Sequence, residues 1–192
     1  MDTKVSKKKT LLMATGKDLF WKHGFRKVSV EEICIKAGVS KMTFYRFYRN
    51  KTELAKAILN NVIEESCVHF RDILKQKSSV AEKMRKIVMM KKEGTKEISS
   101  EFLSDLYNNP QSELKDFIQK RTQEVWHMLT EDFRQAQKDG WLRDDFKPEF
   151  LLAISFKMAD LLNDKQISSL YDSPQELIME MTNMITYGIS PR

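Results

Sequence analysis

The sequence predicts an all-α chain of about nine helices. Three observations carry that prediction. Glycine and proline, the two helix breakers, number only 6 and 4 in 192 residues. Strong helix formers (Leu, Met, Glu, Lys, Gln) are abundant throughout. Apolar residues recur at three- and four-residue spacing along most of the chain. The length suits one or two domains and a core that needs no covalent staples.

The first helix is expected over about 8–23, with Leu12, Thr15, Gly16, Leu19, Phe20 and His23 on one face. Gly24 stops it. Ser29 then reads as an N-cap, completed as a capping box by Glu32 three residues on. The second helix, 30–36, carries Ile33 on its inner face, in line with Ala37, and Gly38 ends it. Ser40 caps a third, 41–48. A short helix, a glycine turn and a second capped helix follow the plan of a helix-turn-helix. After the polar break Arg49-Asn50, a long helix begins near Lys51, capped by Asn50 or Thr52, and runs past Phe70.

The remaining elements follow the same logic. Ser78-Ser79 precedes a helix through Met90, and Gly94-Thr95 precedes one over 96–107. Asn108-Asn109-Pro110 is a stop followed by a start. The next helix spans 112–138 and ends at Gly140, and 141–147 is a loop. Pro148 suits the first position of a helix to Asn163, and Ser173-Pro174 opens the last, which ends at Gly188. There is no internal repeat and no low-complexity stretch. The natural division is a domain of residues 1–50, the three-helix unit, and a helical domain of residues 51–192.

Composition excludes several classes. No window approaches the ~20 uncharged apolar residues of a membrane span. The basic start, Met1 to Lys9, is followed by no apolar stretch with a small-residue cleavage site, so no secretory signal is expected. Cys34 and Cys67 make no disulfide framework and read as small buried hydrophobes.

Charge is unevenly spread. Residues 1–60 hold 14 Lys/Arg against 5 Asp/Glu, a net of +9, while 61–192 hold 19 against 22, a net of −3. Without Lys4, Lys7, Lys8 and Lys9 the first third keeps +5, so a solvated tail does not account for the asymmetry. A basic module on a mildly acidic body is the electrostatic footprint of a polyanion binder. Aromatic and basic residues crowd into 41–51, with Phe44 and Tyr48 one turn apart for the core. Lys41, Met42, Thr43, Tyr45 and Arg46 are left to face a partner, and the major groove of DNA, about 12 Å wide, accepts such a helix.

The segment Gly24 to Leu54, GFRKVSVEEICIKAGVSKMTFYRFYRNKTEL, resembles the tetracycline-repressor (TetR) family of bacterial transcriptional regulators. Leu19-Phe20 with Gly24-Phe25 matches the end of the family's first helix. Ser29-Val30, Ile33 and Ala37-Gly38-Val39-Ser40 match its second helix and turn. Thr43-Phe44-Tyr45, Lys51 and Leu54 match its recognition helix and the start of the linking helix. The motif covers about residues 11–56; beyond it the likeness is in helix count and order.

The resemblance implies a DNA-binding set of Ser29, Ser40, Lys41, Met42, Thr43, Tyr45, Arg46 and Lys51. Lys41, Met42 and Thr43 fall where the family reaches base edges, Lys41 suiting guanine acceptors and the Met42 or Thr43 methyl a thymine methyl. Tyr45 and Lys51 match phosphate contacts, Arg46 suits either role, and the N-caps Ser29 and Ser40 bring helix N-termini to the backbone. One departure stands out. The family commonly has Tyr, His or Trp before Phe at positions 47 and 48, whereas this chain has Phe47-Tyr48, and Phe47 cannot donate to a phosphate. Tyr48 is then expected in the core, its hydroxyl at the rim.

The resemblance also implies a homodimer on a palindromic operator of double-stranded DNA, with two recognition helices about one helical turn, ~34 Å, apart. Phe150, Ile154, Met158 and Leu161, with Ile178, Met181 and Ile185, are the apolar residues of the two late helices expected at that interface. A small apolar inducer is expected among the middle helices, about 60–138, with Met90, Phe102, Leu106, Trp126 and Leu129 as its lining. Repression, with release by that ligand, and a cytoplasmic, nucleoid-associated location are the family's usual pattern. The competing reading is a helical dimeric adaptor for a protein partner, with non-specific DNA affinity; it leaves the basic first third unexplained.

An enzyme is not expected. His23, His69 and His127 lie far apart and in no metal-ligand spacing, and there is no glycine-rich phosphate loop. No catalytic residue, metal or cofactor is assigned.

Overall fold

A computed structural model describes residues 3–107, 113–162 and 164–191. Every regular element among them is helical: α1 Thr3–His23, α2 Val30–Ala37, α3 Lys41–Phe47, α4 Lys51–Lys75, α5 Val80–Gly94, α6 Ser100–Tyr107, α7 Glu113–Lys138, α8 Pro148–Leu161, α9 Lys165–Ser168 and α10 Pro174–Gly188. The all-α prediction is therefore what the chain adopts, and the helix beyond the expected nine is the single turn α9, whose N-cap is Asp164. The stop at 108–110 lies outside the described residues.

The starts are where the cap residues put them. Ser29, Ser40, Ser79 and Ser173 each accept the backbone N–H three residues on, from Glu32, Thr43, Glu82 and Glu176. Each satisfies one of the donors that a helix start leaves unpaired. Asn50, rather than Thr52, caps α4 by accepting from Glu53 N. Pro148 and Pro174 open α8 and α10.

Helix α5 runs past the expected Met90 to Gly94, and α3 stops at Phe47; two helix starts also differ from expectation. Helix α1 extends back to Thr3, through a lysine-rich stretch without the apolar periodicity that marks a helix in sequence. Helix α6 starts at Ser100, not Lys96, because Glu97 takes a left-handed conformation (φ 64°) and Ser99 is the residue that caps, accepting from Phe102 N.

The chain forms two compact units. The first comprises residues 1–62 with 97–118; the second comprises 63–96 with 119–192. In the first, Leu12, Leu19 and Phe20 of α1, Ile33 of α2, Phe44 of α3 and Leu54 and Ile58 of α4 share one core with Phe102 and Leu106 of α6 and Leu114 of α7. The three amino-terminal helices are too small to bury this surface alone, and α6 completes it. The Trp21 and Phe102 rings lie 4.3 Å apart, and Trp21 O accepts from Ser99 N at 2.9 Å.

In the second unit, Met84, Phe133, Ala136, Leu142 and Leu151 form the core, flanked by Phe70, Trp126, Leu129 and Ile185. Trp126 and Phe133 stack at 5.8 Å, and Phe70 lies 5.6 Å from Phe133. Helix α10 packs on α5. Lys83 is wholly buried there, its Nζ donating to Leu74 O at the end of α4 and lying over the Trp141 ring.

Candidate nucleic-acid interface

The interface is built on a tight turn. Helix α2 ends at Gly38, which adopts the left-handed conformation (φ 64°) that a side chain would strain. Gly38 N and Val39 N return to Ile35 O and Cys34 O at 3.2 and 3.0 Å, closing the helix end. Two residues later Ser40 Oγ accepts from Thr43 N at 3.2 Å and shares a hydrogen bond with Thr43 Oγ1 at 3.0 Å. The turn has no slack, so the direction of α3 is fixed by α2.

Packing fixes its rotation. Phe44 is fully buried, and its ring sits 5.9 Å from Tyr48 and 5.4 Å, edge-on, from Tyr45. With Phe44 inward, Lys41, Met42, Tyr45 and Arg46 are exposed and Thr43 is half-buried. Met42 is 84% and Tyr45 57% exposed, which is unusual for such apolar area on a seven-residue helix. Ser29 and Ser40, both exposed, stand at the starts of α2 and α3. All eight residues expected to meet DNA thus lie on or beside the helix-turn-helix with their side chains wholly or partly accessible, Thr43 and Lys51 being half-buried.

Lys51 is distinguished by its hydrogen bonds. Its Nζ donates to Phe25 O at 2.7 Å, Arg26 O at 3.2 Å and Val28 O at 2.7 Å, and lies 4.5 Å from the Phe25 ring centre. With three carbonyl acceptors for its three ammonium protons, Lys51 clamps the α1–α2 turn. Burial pushes its pKa down, partly offset by the nearby Asp105 carboxylate.

Tyr48 also departs from expectation. Its hydroxyl is buried without a hydrogen-bond partner rather than at the rim, and burial pushes its pKa up. Phe47 is half-buried against the same core.

Two features were not visible in the sequence. Lys41 pairs with Glu31 of α2 at 3.1 Å, both side chains being more than half exposed. Arg26 N donates to Asp105 Oδ2 at 2.8 Å, and Arg26 Nε lies 3.3 Å from Asp105 Oδ1. No spacing rule links residues 79 apart, so only the fold reveals that second contact.

The residues expected to line a ligand site do not form one cluster. Phe102 and Leu106 are buried in the core of the first unit, whereas Trp126 and Leu129 flank that of the second. Met90, on α5, is half-buried. A cleft of about 400 Å³ in the second unit is lined by Gln137, Gly140, Leu142, Arg143, Asp144, Asp145 and Pro191, none of them in the expected set.

The residues expected at a dimer interface all lie in the second unit. On α8, Phe150 is 61% exposed and Leu161 is exposed, with Ile154 and Met158 between. On α10, Ile178 is buried, and Ile185 is half-buried against the unit's own core. Met181 is half-buried, and the exposed apolar residues of that helix are Met184, 69% exposed, and Tyr187.

Residues 12–58 match the model of the tetR family of bacterial regulatory proteins. The HTH-type transcriptional regulator UidR of Escherichia coli is 22% identical over 147 residues, covering 76% of this chain and 74% of UidR. The fold is similar to that of the fatty acid degradation regulator FadR from Bacillus halodurans, at TM-score 0.68 and 15% identity over 96% of this chain and 97% of FadR. It is also similar to SCO4454, a TetR-family transcriptional regulator from Streptomyces coelicolor, at TM-score 0.63 and 16% identity over 97% of each chain. Among the described residues no helix is long and apolar enough to cross a membrane.

Proposed function

We propose that the chain is a transcriptional regulator of the TetR family, whose model its residues 12–58 match, and that it is a homodimeric repressor of a palindromic operator, released by a small apolar ligand. The observation that carries the DNA reading is the pairing of a fully buried Phe44 with exposed Lys41, Met42, Tyr45 and Arg46 on one seven-residue helix. A side chain anchors the helix while its outer face stays free for base edges and phosphates. Glu31 beside Lys41 is the group that Lys41 exchanges for a guanine or phosphate on binding.

The dimer reading is supported by exposed Phe150 and Leu161 on α8 and Met184 and Tyr187 on α10, apolar area that a second copy would cover. The ligand reading rests on the family's habit and on the aromatic group Phe70, Trp126 and Phe133 in the second unit. Helix α4 carries the chain from one unit to the other. A ligand acts through it only by binding one conformation more tightly than another. A cytoplasmic, nucleoid-associated location belongs to the same proposal.

The site is tested by Arg46→Ala and Tyr45→Phe, with affinity for the operator measured at fixed salt. Each variant should lose about 1–3 kcal/mol of binding, the range of a lost base or phosphate contact, with dimer mass and helicity unchanged. Binding at wild-type strength by both variants would remove α3 from the interface.

A further inference from the structure

The α1–α2 turn is held by two opposite charges. The Lys51 ammonium gathers the carbonyls of Phe25, Arg26 and Val28. The Asp105 carboxylate, from α6, accepts Arg26 N at 2.8 Å and pairs with Arg26 Nε at 3.3 Å. Gly24, in the left-handed region at φ 84°, lets α6 approach so closely that a Cβ there would lie 2.9 Å from Asp105 Oδ2 and 3.2 Å from Glu101 Cβ. The Asp105 side chain is only 12% exposed, whereas that of its partner Arg26 is 59% exposed. All these residues belong to one compact unit. The turn they hold ends at Ser29, the N-cap of α2, one of the groups offered to the DNA backbone.

We propose that Asp105 is a positioning residue for DNA binding: with Lys51 it pins the α1–α2 turn and so sets where Ser29 and the first turn of α2 meet a phosphate. The inference rests on the DNA-binding reading and adds to it a residue of α6, outside the helix-turn-helix. Asp105 reaches no DNA itself; it acts through the backbone of Arg26.

The sign of the effect separates this role from plain electrostatics. Asp105→Asn removes a negative charge, which by charge alone strengthens binding to a polyanion. Positioning predicts the opposite for the operator. With the full-length protein, Asp105→Asn should weaken operator binding about tenfold or more, the size of one charge-assisted hydrogen bond. Affinity for a random duplex should stay equal or rise. Glu101→Gln, the same charge change one turn earlier on α6, should leave operator binding equal or slightly tighter.

Amide hydrogen exchange reports on the turn without DNA. In Asp105→Asn it should quicken over residues 24–32 by about tenfold, with the core of the second unit unchanged. Unchanged exchange over 24–32 overturns the latch. Faster exchange with unchanged operator affinity overturns the positioning role. If the wild-type chain selects no operator at all, the DNA-binding reading falls and this inference with it, whatever the exchange shows.

Discussion

Lys51 shows how a side chain expected at a phosphate can also brace its own fold. Its position at the start of α4 matches a phosphate contact by resemblance, and its ammonium donates to Phe25 O, Arg26 O and Val28 O. Lys51→Met leaves those carbonyls without the ammonium and should cost about 1–3 kcal/mol of stability, read by denaturant or thermal unfolding at pH 7. The pH dependence has a definite sign. Burial holds the folded pKa below the ordinary lysine value of 10.5. From the folded pKa up to 10.5 the unfolded chain binds more protons, so stability rises with pH across that window. The wild-type advantage over Lys51→Met should therefore widen toward pH 10.5; an advantage that shrinks on the alkaline side contradicts the burial of the charge.

The inward and outward side chains of α3, by contrast, are legible in the sequence. Phe44 inward and Lys41, Met42, Tyr45 and Arg46 outward follow from a local period that one helix imposes by itself. Lys51 was not legible, because the groups it bonds lie more than twenty residues back, in a turn with no periodic signal.

At the scale of elements, caps and turns were read well and packing partners were not. The serines at 29, 40, 79 and 173 start helices as expected because a cap acts over three residues. The role of α6 in completing the first core depends on Trp21 meeting Phe102 and on Arg26 meeting Asp105, contacts no local rule reaches. Likewise α10 is apolar around much of its circumference, so its sequence does not say that Ile178 is buried while Met184 is exposed.

Two glycine turns separate backbone cost from crowding. Gly38 has nothing within 4 Å of where a Cβ would sit, whereas Gly24 has Asp105 and Glu101 there. Gly38→Ala should cost about 1 kcal/mol, the price of a left-handed alanine alone. Gly24→Ala should cost about 1 kcal/mol more, because α6 must also give way. At roughly 2–4 °C of melting temperature per kcal/mol for a chain of this size, the two variants are distinguishable by thermal unfolding. Equal shifts would mean that α6 does not bear on the turn.

Taken whole, the molecule places its positive excess, +9 over residues 1–60, on the part that carries α1 to α3. Its exposed apolar helices, α8 and α10, belong to the other unit. That separation fits a regulator in which one unit meets DNA and the other meets a second copy. Selection of bound sequences from a random duplex pool, at about 150 mM salt where non-specific phosphate binding is weakened, tests that account most directly. The account predicts enrichment of an inverted repeat whose half-sites lie about one helical turn apart. A pool that stays random, with binding that falls away smoothly as salt rises, would contradict it: the basic third would then hold DNA by charge alone.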